Sequence, residues 1–183
     1  MQCIKWKVLI IFSLIMSLFG CTGMSVNHTR PVYLPTYTPV AILPFTNTTE
    51  TPQADERAQA ILADLLRGHG LYHVMVYPNK VTHATLIPGV KQPISRQKTL
   101  AWAKNHGAMY AYTGSVTEWN YKVGLDGEPA IGVVIEMIDV NTGLVVWSSV
   151  GSKSGGSRIA LSTVAQDLMN IMLSSIYYGM QHA

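Results

Sequence analysis

Cysteine is almost absent from this sequence. Two of the 183 residues are cysteines, and one of them, Cys3, lies in an N-terminal segment of the kind that is removed as a signal peptide. Cleavage of that segment leaves Cys21 as the single cysteine of the mature chain. A disulfide framework and a cysteine-based metal site are therefore both excluded.

Charge is also scarce. Asp, Glu, Lys and Arg together make up 13% of the chain, and the formal net charge is +3. Lys5 and Lys7 belong to the N-terminal segment, and their removal leaves a formal charge of +1 on the remaining residues. Binding to nucleic acid requires clustered lysine and arginine. The composition therefore argues against a nucleic-acid partner.

The motifs of common enzyme classes are missing as well. The glycine-rich stretch 151–156 lacks the Gly-Lys-Ser/Thr ending that brings a lysine and a hydroxyl to a bound phosphate. Ser115 follows Gly114, but no second glycine completes a nucleophile elbow. Ser95 and Lys98 match Ser-x-x-Lys, yet the companion motifs of penicillin-recognising enzymes are absent, and Ser95 stands where a helix N-cap is expected. No catalytic residue is predicted.

The histidines do not indicate a metal site. There are six of them, spread along the chain without partners at metal-ligand spacing. His69 and His73 are four residues apart, but Gly68 and Gly70 interrupt the helix that would align them. We expect surface or loop histidines, no metal and no cofactor.

The N-terminus carries a targeting pattern. Lys5 and Lys7 precede an apolar run over 8–19, which is too short to cross a bilayer as a mature helix and is typical of a signal peptide. The run ends in Leu18-Phe19-Gly20-Cys21, which resembles the lipobox of bacterial lipoproteins. We expect Cys21 to be acylated; an uncleaved N-terminal membrane anchor is the alternative.

This pattern divides the chain into three parts. We expect residues 1–20 to be a lipoprotein signal peptide, and residues 21–39 to be an extended lipidated tether rich in Thr, Pro, Asn and Ser. Residues 40–183 are long enough for a single α/β domain. By resemblance to other bacterial lipoproteins, Thr22 directly after the acylated cysteine favours the outer membrane. The predicted location is therefore the periplasmic face of the outer membrane.

Hydrophobic periodicity predicts alternating strands and helices in the domain. A short apolar run at 40–45 is typical of a buried strand, and a second strand is predicted at 71–77. Leucines and alanines at helical spacing indicate two helices, one capped at Thr51-Pro52 and one capped at Ser95. A third helix presents an apolar face made of Leu161, Val164, Leu168, Ile171 and Met172.

Three further strand-like runs lie between the second and third helices, at 111–121, 131–140 and 144–149. The last two are joined by Asn141-Thr142-Gly143, a short turn whose glycine tolerates positive φ. These runs predict a three-stranded antiparallel meander. The order β-α-β-α-β-β-β-α then indicates a three-layered α/β domain, with a mixed sheet and flanking helices.

Two features of the meander have more than one interpretation. Asp126 and Glu128 form a solvated hairpin loop, a binding surface for a cationic partner, or a glycosidase pair. Residues two apart in such a turn are rarely held at the separation that this catalysis needs. Trp147 is either buried in the core or exposed at a subunit contact or a membrane interface. The residues alone do not decide between these alternatives.

Six separated segments resemble the PelC family of lipoproteins, which act in bacterial exopolysaccharide export. The most specific are Gly-Leu-Asp-Gly-Glu-Pro at 124–129 and the helix start at 49–57. The other four segments are 40–45, 113–122, 138–143 and 145–148. The shorter strand-turn pieces are shared with periplasmic lipoproteins of the curli-secretion type, whose domain the predicted fold also resembles.

The resemblance implies a non-enzymatic export component. PelC-like lipoproteins form rings of twelve subunits at the inner leaflet of the outer membrane, and act with a PelB-like porin in exporting a cationic amino-sugar polymer. Asp126 and Glu128 match the family loop and are implied to supply a polymer-guiding acidic surface, with Glu118 as a further member. Trp147 matches the tryptophan that is implied to face the membrane or a neighbouring subunit.

Two other functions are consistent with the residues. A monomeric lipoprotein that binds and activates a peptidoglycan synthase could use the same kind of domain. A polysaccharide-cleaving enzyme would need Asp126 or Glu128 as its catalyst.

Overall fold

The computed structural model describes residues 23–78, 94–122 and 127–179. Within these ranges the strands are β1 (Met24–His28), β2 (Val32–Pro35), β3 (Val40–Ile42), β4 (Thr46–Asn47), β5 (Val74–Val76), β6 (Tyr110–Tyr121), β7 (Pro129–Asp139), β8 (Val145–Ser154) and β9 (Ile176–Gly179). The α-helices are α1 (Ala54–Gly68), α2 (Arg96–Asn105) and α3 (Leu161–Met172), and a short 3-10 helix at Leu173–Ser175 follows α3. Residues 1–20, which are predicted to be a signal peptide, lie outside the described residues, as do Cys21 and Asp126.

A mixed sheet forms the centre of the domain. Its strands run in the order β1-β8-β7-β6-β3-β5, and β4 pairs with β6 beyond the end of β3. β3 is parallel to both β5 and β6, whereas β6, β7, β8 and β1 are antiparallel neighbours. The predicted meander is therefore confirmed in β6, β7 and β8. A separate parallel pair is formed by β2 and β9.

Helices lie on both faces of the sheet, which confirms the predicted three-layered arrangement. α1 and α3 cover one face, here called the core face. The larger cluster of buried side chains lies there and includes Ile42, Leu62, Tyr112, Ile135 and Leu168. α2 covers part of the other face, over a smaller apolar cluster formed by Ala41, Leu43, Ala103, Ala108, Ala111 and Val140.

The turn between β7 and β8 has the conformation that its sequence predicts. Gly143 has a φ of 73°, in the left-handed region that glycine adopts without strain. The Asp139 carboxylate accepts hydrogen bonds from the backbone N–H groups of Thr142 and Asn141, each at 2.9 Å. These bonds, above all that from Thr142, lower the pKa of the Asp139 carboxyl from its ordinary value, because they stabilise its charged form.

The start of α1 differs from its prediction. Thr51 is expected to cap this helix, but the N-cap is Gln53, two residues later, whose φ is 60° and whose side chain makes no capping bond. The Thr51 hydroxyl donates instead to the backbone oxygen of Trp119. The loop before α1 is therefore attached to β6, and this long-range contact is not encoded in the local capping pattern.

The start of α2 agrees with its prediction. Ser95 Oγ accepts a hydrogen bond from the Lys98 backbone N–H at 3.4 Å, as expected for a helix N-cap. Gly107 follows the helix with a φ of 77° and ends it. Ser95 therefore has the structural role that its position indicates.

The prediction of an extended tether over 21–39 is wrong for much of the stretch 23–39, which the structure describes. Residues 24–28 form β1 and pair antiparallel with β8, and residues 32–35 form β2 beside β9. Val26 packs against the large core cluster, while its neighbours in β1 are mostly polar, so the strand signal in the sequence is weak. Pairing with β1 covers the backbone edge that β8 would otherwise expose.

Trp147 is buried, which corrects the prediction that it faces a membrane or a neighbouring subunit. Its side chain is 0% exposed, and its Nε1 donates a hydrogen bond to Ser175 Oγ at 2.9 Å. A register shift in β8 beside this residue leaves Val145 and Val146 at the surface instead, 43% and 42% exposed. The sequence leaves several positions open for Trp147, and the structure shows that this side chain is buried in the core.

Replacing Trp147 by alanine is therefore expected to destabilise the domain by about 3–5 kcal/mol, because the change removes a large buried side chain. Leu144→Ala, at a side chain that is 66% exposed, is the matched control and should change the free energy of unfolding by about 0.5 kcal/mol or less. Chemical denaturation of both variants measures the difference. Wild-type stability of Trp147→Ala would contradict the buried position.

Candidate functional site

Part of the second sheet face is not covered by any described helix. α2 packs over β3 and the beginning of β6, and the remainder, here called the open face, belongs to β6, β7 and β8. Strand alternation and pairing place on it the side chains of Thr113, Ser115, Glu118, Val134, Glu136 and Ser148. The open face therefore combines hydroxyl groups with two carboxylates.

Glu118 lies on the open face beside a β-bulge. The pairing of β6 with β7 shifts between Val116 and Glu118, which leaves Thr117 as the extra residue. Glu118 pairs with Gly132, and a Cβ built on that glycine would lie 2.6 Å from Thr117 Oγ1 and 3.2 Å from Glu118 Cβ. The glycine therefore provides the space that the bulge and the Glu118 side chain occupy.

Glu136 is a second carboxylate on the open face and is not among the residues predicted from the sequence. It lies four positions after Gly132 on β7 and thus on the same face as Glu118. Glu136 lines a cleft of about 320 Å³ between the open face and the start of α2. Other polar side chains that line this cleft are Arg96, Thr99, Thr113 and Ser115. A charged residue inside an otherwise apolar strand is the signal that could have identified it.

The loop between β6 and β7 adjoins the open face. Glu128 is exposed, and its backbone oxygen accepts a hydrogen bond from the Lys122 N–H at 2.7 Å. The Lys122 ammonium group donates to Ser154 Oγ at 2.8 Å. Asp126, the other predicted carboxylate of this loop, lies outside the described residues.

This arrangement suits an electrostatic surface better than a catalytic pair. Glu118 pairs with Gly132, and Glu136 is four residues further along β7. The backbone positions of the two glutamates are therefore offset by roughly 13 Å along the strand direction. The carboxyl groups of glycosidases are about 5–10 Å apart. In the described ranges, no group of three or more potential metal ligands occurs, and no helix of those residues is long and apolar enough to cross a membrane.

Comparison with solved structures shows the family. The chain is similar to a PelC dodecamer from Paraburkholderia phytofirmans, with 38% sequence identity and a TM-score of 0.72 over 84% of this chain and 96% of that chain. This chain belongs to the PelC family. A substituted variant of the same dodecamer in another crystal form gives 37% identity and a TM-score of 0.72, over 84% and 97% of the two chains. No family model and no curated protein matches the chain.

This membership confirms the resemblance to the PelC family that six short segments of the sequence suggest. The similarity in structure extends over most of the chain. The relatives are described as dodecamers. For a PelC-family chain, exposed surfaces such as the open face are therefore candidates for subunit contacts as well as for ligand binding.

Gly132→Ala tests whether the glycine positions Glu118. The variant should be destabilised by about 1–3 kcal/mol, since a Cβ there has no room. Gly156→Ala is the control, because the nearest atom to a Cβ at that position is 3.9 Å away. Denaturation curves compare the two variants with wild type. Equal stability of all three proteins would show that the bulge does not require a glycine opposite Glu118.

Proposed function

We propose that this PelC-family chain is a lipid-anchored, non-enzymatic component of exopolysaccharide export. Mature subunits carry acyl groups on Cys21 and form a ring of twelve at the periplasmic face of the outer membrane. The ring guides a cationic polysaccharide to a PelB-like outer-membrane porin. The observation that carries this proposal is the 38% identity to a PelC dodecamer over 84% of the chain.

The shape of the domain is compatible with a ring. A closed ring requires two unlike surfaces that fit each other from one subunit to the next. The two sides of this domain do differ, because α1 and α3 form a helical layer on one side while the open face on the other is rich in hydroxyl groups. Acylation confines the subunits to the membrane and raises their local concentration, so weak contacts are sufficient for assembly.

The carboxylates support attraction of a cationic polymer. Glu118 and Glu136 lie on the open face, Glu128 lies in the adjoining loop, and Asp126 is two residues earlier in the sequence. Repetition of these groups around a ring concentrates negative potential, although the mature chain is close to neutral. The field is screened within about 8 Å at physiological ionic strength, so it acts on a polymer that passes close to these residues.

Removing these charges while keeping the side-chain shapes should reduce export. One double variant is Asp126→Asn with Glu128→Gln, and the other is Glu118→Gln with Glu136→Gln. Both should reach the outer membrane in normal amounts and secrete less polymer than wild type. The difference from wild type should shrink at raised ionic strength, because salt already screens the wild-type field. Secreted polymer and membrane-bound protein are measured together.

The control is Asp64→Asn, which removes one carboxylate where each double variant removes two. Asp64 lies on α1 in the opposite layer, is 81% exposed and pairs with Arg67 at 3.0 Å, an exposed contact of small energetic value. Normal export by both double variants would remove the carboxylates from the mechanism. A loss in Asp64→Asn about half as large as that of the double variants, in proportion to the charge removed, would show that total charge, and not these positions, determines export.

A further inference from the structure

The cleft between the open face and α2 contains a carboxylate that has no protein partner. Glu136 lies on β7, is half-buried and lines this cleft of about 320 Å³. None of the other described residues forms a hydrogen bond or an ion pair with its carboxylate. A carboxylate that is partly removed from water attracts a cation more strongly than a fully exposed one. Glu136 is therefore available to bind a cationic group from outside the domain.

Two threonine hydroxyls in the same cleft offer only acceptor capacity to a ligand. Thr113 Oγ1 donates its hydrogen to the Pro44 backbone oxygen at 3.0 Å. Thr99 Oγ1 donates its hydrogen to the Arg96 backbone oxygen at 2.9 Å. A hydroxyl group has one hydrogen and two lone pairs, so the lone pairs of both threonines remain for a ligand. Together with the carboxylate of Glu136, they suit a ligand that brings several N–H or O–H donors.

An ammonium group fits this set of acceptors better than an anion does. It carries a positive charge and three N–H donors, which match one carboxylate and two hydroxyl oxygens. The oxygens of a phosphate or carboxylate ligand would instead face three groups that have no hydrogen to donate. Arg96 also lines the cleft, but its side chain is exposed, so salt and water screen its repulsion of a second cation.

The rest of the lining suits a sugar ring better than a lysine side chain. A sugar has C–H groups on its faces and hydroxyl groups around its edge, and the guanidinium group of Arg96 can donate to those hydroxyls. The alkyl chain of a lysine has no polar group to match Arg96. The volume is at the lower end of the range for small-molecule sites, about 300–1,000 Å³, which suits a single sugar residue. The apolar residues of the lining are Leu43, Pro44, Ile94 and Val134.

We propose that the cleft binds one amino-sugar residue, with its ammonium group at Glu136 and the two threonine hydroxyls and its own hydroxyl groups toward Arg96. The cleft then distinguishes a free amine from an N-acetylated one, because an acetamide is neutral and has a single N–H donor. The choice of a sugar as the carrier of the amine rests on the proposed function, whereas the preference for an ammonium group rests on the cleft alone. Each subunit thus holds the polymer by a specific contact as well as by the field of its carboxylates.

Ligand-observed NMR titration of the full-length protein in a mild detergent tests the site. Glucosamine should show saturable binding, and N-acetylglucosamine should bind about tenfold more weakly, because hydrogen bonds to a charged group are the stronger ones. Absence of saturable glucosamine binding, or equal binding of the two sugars, would overturn the assignment. A lysine derivative with blocked amino and carboxyl ends that binds as tightly as glucosamine would assign the cleft to a peptide instead.

Two variants separate contact in the cleft from the general field of the protein. Glu136→Gln should weaken glucosamine binding about tenfold or more, and Thr113→Val, which changes no charge, should weaken it about fivefold. The matched control is Thr48→Val, because Thr48 Oγ1 makes the same kind of bond, to the Val116 backbone oxygen at 2.8 Å, and is not part of the cleft lining. Thr48→Val should bind glucosamine as wild type does. Equal losses in the two threonine variants, or no loss in Glu136→Gln, would contradict the proposed contacts.

Secreted polymer from cells with the single variant Glu136→Gln separates this inference from the proposed function. If glucosamine binding is lost while export is normal, the cleft assignment stands and guidance of the polymer by this face is wrong. If export falls while the variant binds glucosamine as wild type does, the cleft assignment is wrong and the field of the carboxylates explains the loss.

Discussion

The fold depends on close contact between α3 and the core face of β7 and β8. A Cβ on Gly151 would lie 2.9 Å from both Leu168 Cδ1 and Met172 Sδ, so the glycine determines how closely the helix approaches β8. Trp147 fills the neighbouring part of the same core. Because the inward side chains of the meander pack into the core beneath α1 and α3, the alternate side chains form the open face and present its carboxylates on the other side.

The sequence predicts the elements whose periodicity is strong, and fails where the deciding contacts are distant along the chain. The meander, its turn at Gly143 and the cap at Ser95 depend on neighbouring residues, so local patterns identify them. Pairing with β8 makes a strand of residues 24–28, and a bond to Trp119 redirects the Thr51 hydroxyl. Neither partner can be recognised from the local sequence.

The candidate site is predictable only in part for the same reason. Both faces of the last predicted strand carry apolar residues, so alternation does not show which face is buried. The packing of α3 against one face determines that the side with Trp147 lies in the core. Glu118 and Glu128 are identified through resemblance to the family loop and strand. Glu136 is missed, because its position beside the cleft depends on the pairing of β7 and on the placement of α2.

The proposed function requires subunits that assemble, and the mass of the assembled protein tests this most directly. The acylated full-length protein, extracted in a mild detergent, should have a mass of twelve protomers, as in the PelC relative. Crosslinking in membranes before extraction should give the same number of subunits. A monomer in both measurements would contradict the ring and favour a lipoprotein that acts as a single binding domain.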